Sequence, residues 1–176
     1  MSFVDSIDHP LHRQMYAYWQ QKRGSRRMPR RADIDPTEIP RLLPNLLISE
    51  HVAEASSERW RYRLAGTAVA AAFGRDPTGR YIDELTKGAY RDFIERIHRV
   101  VREEQRALFC ASEYTGARDM RMSAKRLLLP LTTVGPQVDQ IITLLVFRLD
   151  TRLPAVIELD RTEGTTEHAG PILADA

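Results

Sequence analysis

The sequence predicts an α+β fold, in which a five-stranded antiparallel sheet carries helices on one face and a further helix flanks it at the N-terminus. Three observations predict it. Strand-like and helix-like segments follow one another as two strands, several helices and three strands. Arg59, Arg61 and Arg63 alternate strictly with Trp60, Tyr62 and Leu64, which places aromatics on one face of a strand and cations on the other. Phe93, Ile94, Ile97, Val100 and Val101 form one apolar stripe along the longest helical segment, the pattern of a helix lying across a sheet.

The elements follow in order. Leu11, Met15, Tyr18 and Trp19 recur at helical spacing between His9 and Gln21 and predict an amphipathic helix. Gly24, Ser25 and Pro29 interrupt that pattern and make the next segment a connector. Asp35-Pro36-Thr37-Glu38 is a helix start with Asp as N-cap and Pro at the first position, and Pro40 and Pro44 keep it short. Leu46 to Val52 reads as a first strand and Arg59 to Leu64 as a second, with Tyr62 and Leu64 facing the core and the three arginines facing away. After Gly66, Thr67 caps a short helix that runs through Phe73, followed by a turn-rich loop from Gly74 to Gly79 and a helical turn around Ile82 to Leu85. The long helix covers about Ala89 to Arg106. Ala107 to Tyr114, Arg121 to Leu131 and Val138 to Leu149 complete the sheet, the last two joined by a turn at Gly135-Pro136.

At 176 residues the chain suits one core with flanking segments: 1–45 as N-terminal helix and basic connector, 46–149 as the sheet domain, and 150–176 as an acidic tail. An apolar fraction of 43% and a charged fraction of 28% are those of a globular protein and exclude a disordered chain. No apolar run reaches the ~20 residues that span a bilayer, no export signal opens the chain, and the single cysteine, Cys110, forbids an intrachain disulfide. A cytoplasmic location is therefore expected. The net charge of +2 argues against a nucleic-acid binder on overall charge. Six of the ten residues from Lys22 to Arg31 are basic, but no aromatic interleaves them, so the run reads as a solvated connector pairing with the acidic tail or a partner. Binding to nucleic acid or anionic lipid is not expected.

Catalytic chemistry is sparse. No phosphate-binding loop, nucleophile elbow or zinc-protease helix is present, so an enzyme is not expected. His9 and His12 stand one helical turn apart, a spacing that can bind metal, but no third ligand lies near them in the sequence.

The stretch from Tyr62 to Leu85 resembles a PAS domain: a strand, Ala65-Gly66-Thr67-Ala68 opening a short helix, then Gly79-Arg80-Tyr81-Ile82-Asp83-Glu84-Leu85. Thr67 stands where many PAS domains carry Asn. Together with Arg31-Ala32-Asp33-Ile34-Asp35-Pro36, Gly74-Arg75-Asp76-Pro77-Thr78-Gly79 and Arg126-Leu127-Leu128-Leu129-Pro130-Leu131, it is similar to a family of stand-alone PAS proteins of alphaproteobacteria, from about His9 to Leu149. The resemblance implies a sensory or regulatory module that signals in trans through a protein partner, and supplies no catalytic residues. A small-molecule sensor is the alternative reading, and an enzyme using the same cleft a further one.

The ligand place of such domains lies between the long helix and the sheet, which implies candidate lining by Tyr62, Phe73, Tyr81, Phe93 and Ile97, and from the later strands by Ser112, Tyr114, Leu129 and Ile142. His98 stands where haem-binding relatives carry a ligand, but it falls at the edge of the apolar arc and reads as a surface or structural residue reaching toward solvent or a carboxylate. Cys110 lacks the Asn-Cys-Arg context of flavin-adduct domains and reads as a buried small hydrophobe on a strand. Neither haem nor flavin is expected. Leu11, Met15, Tyr18 and Trp19 are the candidate docking face of the N-terminal helix, expected to cover the last strand, whose two faces are both apolar, and to help form a homodimer as such helices do in PAS relatives.

Overall fold

Alternation along 59–64 is realised as the edge of a sheet. The computed structural model describes residues 3–54, 57–115, 121–149 and 156–159. Its strands are β1 (Leu46–Glu54), β2 (Ser57–Ala65), β3 (Leu108–Thr115), β4 (Arg121–Leu131), β5 (Gln140–Leu149) and β6 (Val156–Leu159), and its helices α1 (Phe3–Ser6), α2 (Pro10–Arg23), α3 (Thr67–Phe73), α4 (Ile82–Leu85) and α5 (Gly88–Glu104). The sheet order is β2-β1-β5-β4-β3-β6, with every pairing antiparallel. The five expected strands are all present. The sixth falls in the segment read as a tail, where Val156 to Leu159 pairs with Ala111 to Leu108. Helix α1 was not foreseen either, its four residues being too few to show a period.

The register sorts the side chains into two faces. Cys110, Arg126 and Leu145 share one, and so do Ser112 with Ala124 and Ser49 with Tyr62. Helix α5 lies on this inner face, since His98 bonds Ser49 and Arg126 lies beside the Phe93 ring. Phe109, Leu127 and Leu144 share the outer face, which α2 covers: the His12 and Phe109 rings meet at 5.4 Å, and Trp19 Nε1 donates to the Pro130 carbonyl at 2.9 Å. An apolar β5 buried on both sides therefore finds both its covers within one chain.

Each end of the docking helix has a local cause. His9 caps α2 by accepting from the Leu11 N–H, Pro10 opens it, and Gly24 ends it at a φ of 56°. Asp35 likewise accepts from the Thr37 N–H and starts a single 3₁₀ turn, Pro36–Glu38. The basic connector is held in place: Lys22 pairs with Glu38 at 2.6 Å, Arg26 with Asp33 at 2.9 Å, and Arg31 N–H donates to Thr132 at the end of β4. Two of its cations thus find carboxylates in the segment that follows, before β1.

One expectation fails within β2. Trp60 and Tyr62 are buried, but Leu64 is 42% exposed. The register slips between Ile48 and Ser49, which pair with Leu64 and Tyr62, so Arg63 is an extra residue in a β-bulge that changes the parity of the strand. Leu64 turns outward while Tyr62 stays inside. Gly66, just beyond, is required by close approach: a Cβ there would lie 2.1 Å from the Leu43 carbonyl oxygen and 2.4 Å from that of Pro44.

Candidate functional site

The space between α5 and the inner face is organised by a cation. Arg126 is only 3% exposed, and its guanidinium donates to Ser112 Oγ at 2.7 Å, to the Ala124 carbonyl at 3.2 Å and to Tyr90 Oη at 2.8 Å. It lies 5.8 Å from the centre of the Tyr90 ring and 5.9 Å from that of Phe93, near enough for both π faces to favour the charge. Burial, reinforced by Tyr90 and opposed by Arg126, raises the Tyr62 phenol above its ordinary range. The Cys110 thiol, wholly buried, is pushed up to about 11 and stays protonated at neutral pH.

His98 closes the other end of this interior. Its Nδ1 donates to the Ile94 carbonyl at 2.8 Å, which leaves Nε2 of the neutral ring to accept from Ser49 Oγ at 3.0 Å. The ring is buried against Trp60, with centroids 5.0 Å apart, and burial lowers its pKa to about 4. Sequence reasoning placed His98 at a solvent-facing edge. Strands β1 and β2 extend the sheet under that edge, so the residue is internal and structural.

Five of the candidate pocket residues converge here. Phe93 and Ile97 come from α5, Ser112 from β3 and Tyr62 from β2, with Phe73 reaching Tyr62 at a ring distance of 5.9 Å. The others do not. Tyr81 lies at the outer edge of β2, its ring 3.7 Å beneath the Arg59 guanidinium. Leu129 and Ile142 pair with each other at a position whose parity is that of Leu127, so they face α2. Tyr114 pairs with Met122 on β3, and its side chain lies outside the described residues. Arg126 and Tyr90 were missed, although the alternation Ala124, Arg126, Leu128 along β4 already places Arg126 on the α5 side.

A cleft of about 560 Å³ between the β1–β2 hairpin and the flank of α5 was also missed. Trp60, Glu58 and His51 form its strand wall, and Glu95, Arg99, Arg102 and Glu103 its helix wall. Arg59 bonds Asp83 of α4 through two contacts of 2.9 and 2.7 Å at its end. The charges at 95, 99, 102 and 103 lie three or four residues apart along one helix flank, a signal visible in the sequence once α5 is placed.

The docking residues are buried within their own chain. Met15 and Trp19 are fully or almost fully covered, Tyr18 bonds Glu38 at 2.7 Å, and Leu11 packs at the margin. Tyr16 and His12 join them, His12 donating from Nε2 to the Leu144 carbonyl at 3.2 Å, with its pKa lowered to about 4 by burial. His9 lends Nδ1 to its own helix cap and His12 lends Nε2 to β5, so each ring has one nitrogen already engaged.

A family model described as PAS domain matches residues 7–146. No curated protein and no solved structure matches the chain.

Proposed function

The chain belongs to the PAS domain family, and from that premise we propose that it is a regulatory module that signals in trans by binding another protein. Members of this family are generally sensory rather than catalytic. The observation that carries the reading is the outward turn of Leu64. A large apolar side chain is exposed on a β strand because a bulge changes the strand's parity, and bulges that re-aim a side chain are a recurrent feature of functional edges. Exposed Arg63 stands beside it, reaching Glu50 at 3.1 Å, while α2 covers β4 and β5 further along the sheet. An apolar residue next to a guanidinium suits a partner segment that offers an apolar side chain beside a carboxylate.

The test is site-specific photo-crosslinking in cells, with the crosslinking amino acid at position 64 and, as control, at position 134, whose side chain is more exposed still. The reading expects a discrete adduct from 64 that is absent from 134 and that weakens when Arg63→Glu is added. Equal labelling from both positions would contradict it.

The small-molecule alternative has one observation of its own, the buried Arg126 guanidinium in the interior. A ligand lodged there would carry a negative charge. Native mass spectrometry of the purified protein, compared with the denatured chain, distinguishes a retained ligand from a self-filled interior.

A further inference from the structure

The cleft beside α5 has features that core packing does not explain. Only 7% of the His51 side chain is exposed, yet its Nε2 finds no hydrogen bond of good geometry among the described residues. The nearest carboxylate oxygen, Glu58 Oε2, lies 3.5 Å away on a largely exposed side chain and is shared with Arg102 at 3.7 Å. A buried polar nitrogen left in this state costs stability unless something else satisfies it.

Arg99 is the second feature. It stands one turn from Glu95 and one turn from Glu103 on α5, the spacing of an i,i+4 ladder, yet forms no ion pair with either among the described residues. Glu95 instead lies 3.9 Å from Arg91. The Arg99 side chain lines the cleft with Arg102, and Asp83 at the end of the cleft is already neutralised by the two-point contact with Arg59. Two guanidiniums and an imidazole nitrogen therefore face one concavity, whose other charged lining is the carboxylates of Glu58 and Glu103 and that of Glu95, the last already beside Arg91. Its volume of about 560 Å³ falls among those of small-molecule sites.

We propose that this cleft binds the oxyanion group of a small molecule, a phosphate or a carboxylate, through Arg99, Arg102 and His51 Nε2, with Glu58 displaced toward solvent. Bound there, the anion accepts charge-assisted hydrogen bonds from both guanidiniums and a third from the imidazole. The inference stands apart from the partner reading, because the cleft opens on the inner side of β2 and Leu64 lies on its outer side.

Histidine side-chain NMR of the full chain tests it, with the His51 resonances identified by their loss in His51→Gln. Inorganic phosphate and succinate are titrated separately, against sodium chloride of matched ionic strength. The expected result is a saturable shift of the His51 signals with at least one of the two anions. Response to phosphate alone assigns phosphorylated ligands, response to succinate alone assigns carboxylates, and response to both assigns the shared oxyanion chemistry. Arg99→Ala, an exposed position whose loss leaves the fold intact, should weaken that binding about tenfold, the effect of losing one charge-assisted hydrogen bond. Absence of any shift beyond the chloride control would overturn the proposal. So would an unchanged affinity in Arg99→Ala and Arg102→Gln.

Discussion

Acidification should destabilise this protein well above the pH at which its carboxylates protonate, and two buried histidines set the size of the effect. His12 and His98 are held near pKa 4, in both cases first by burial, against an ordinary value of 6.5. Both are neutral in the folded state, while the unfolded chain takes up protons below about pH 6.5. The unfolded state therefore binds more protons, and stability falls as pH drops from 6.5 toward 4. Integrated between pH 7.5 and pH 5, each ring removes about 2 kcal/mol and the pair about 4 kcal/mol, a large part of the ~5–15 kcal/mol that holds a domain together. His51, lowered by burial and by Arg102, acts in the same direction. Urea unfolding at pH 7.5, 6 and 5 measures it. With a slope of about 2 kcal/mol per molar, the midpoint should fall by about 2 M across that range. His98→Gln should roughly halve the pH dependence, whatever it does to stability at pH 7.5. Equal midpoints at pH 7.5 and 5 would refute the burial of the two rings as neutral species.

Three further outcomes follow from the packing. Gly66→Ala forces a methyl group against two backbone carbonyls and should cost several kcal/mol, more than the ~1–3 kcal/mol typical of overpacking, read as a lower thermal midpoint. Trp19→Ala removes a buried ring and its bond to Pro130 and should cost about 3–5 kcal/mol, while Met15→Asp combined with Trp19→Asp should abolish folding instead of merely changing oligomeric state. Arg126→Met replaces a buried cation by an apolar chain of similar length. It leaves Tyr90 and Ser112 hydroxyls that can still rotate to other acceptors, so chemical denaturation should show a change of less than about 2 kcal/mol, far smaller than for Trp19→Ala.

Much of the architecture was legible because period and burial coincide. Ile82–Leu85 and Arg121–Leu131 have the same bounds in sequence and in structure, and the helix ending at Phe73 differs only at its start, where Gly66 and not Thr67 is the cap, since glycines and turn residues delimit these elements and their apolar spacing matches one core. Strand alternation failed only at Leu64, where a bulge adds one residue, and nothing local in Arg61-Tyr62-Arg63-Leu64 marks an extra residue in the register. β6 was hidden for a different reason: four residues carry too little pattern, and what recruits them is the free edge of β3. His98 shows how a helix-only view misleads, because its surroundings are supplied by Ser49 and Trp60 from strands nearly 40 residues or more away in sequence. The candidate interior was half legible. Residues on α5 and β2 were placed by period, but Leu129 and Ile142 required the sheet register, which no single strand contains. The cleft is a property of two elements meeting, and only its charged flank on α5 leaves a trace in the sequence.

Whether the exposed end of β2 is where this module meets its partner is tested most directly by affinity. Once the crosslinked protein is identified and purified, its dissociation constant is measured for the wild-type chain, for Leu64→Asp and for Arg63→Glu, with thermal midpoints recorded alongside. The account predicts that both variants keep the wild-type midpoint, since neither side chain is buried, and that each weakens binding by about tenfold or more, the loss of about 1.4 kcal/mol expected when a contact at the centre of an interface is removed. Undiminished affinity in folded Leu64→Asp would contradict it.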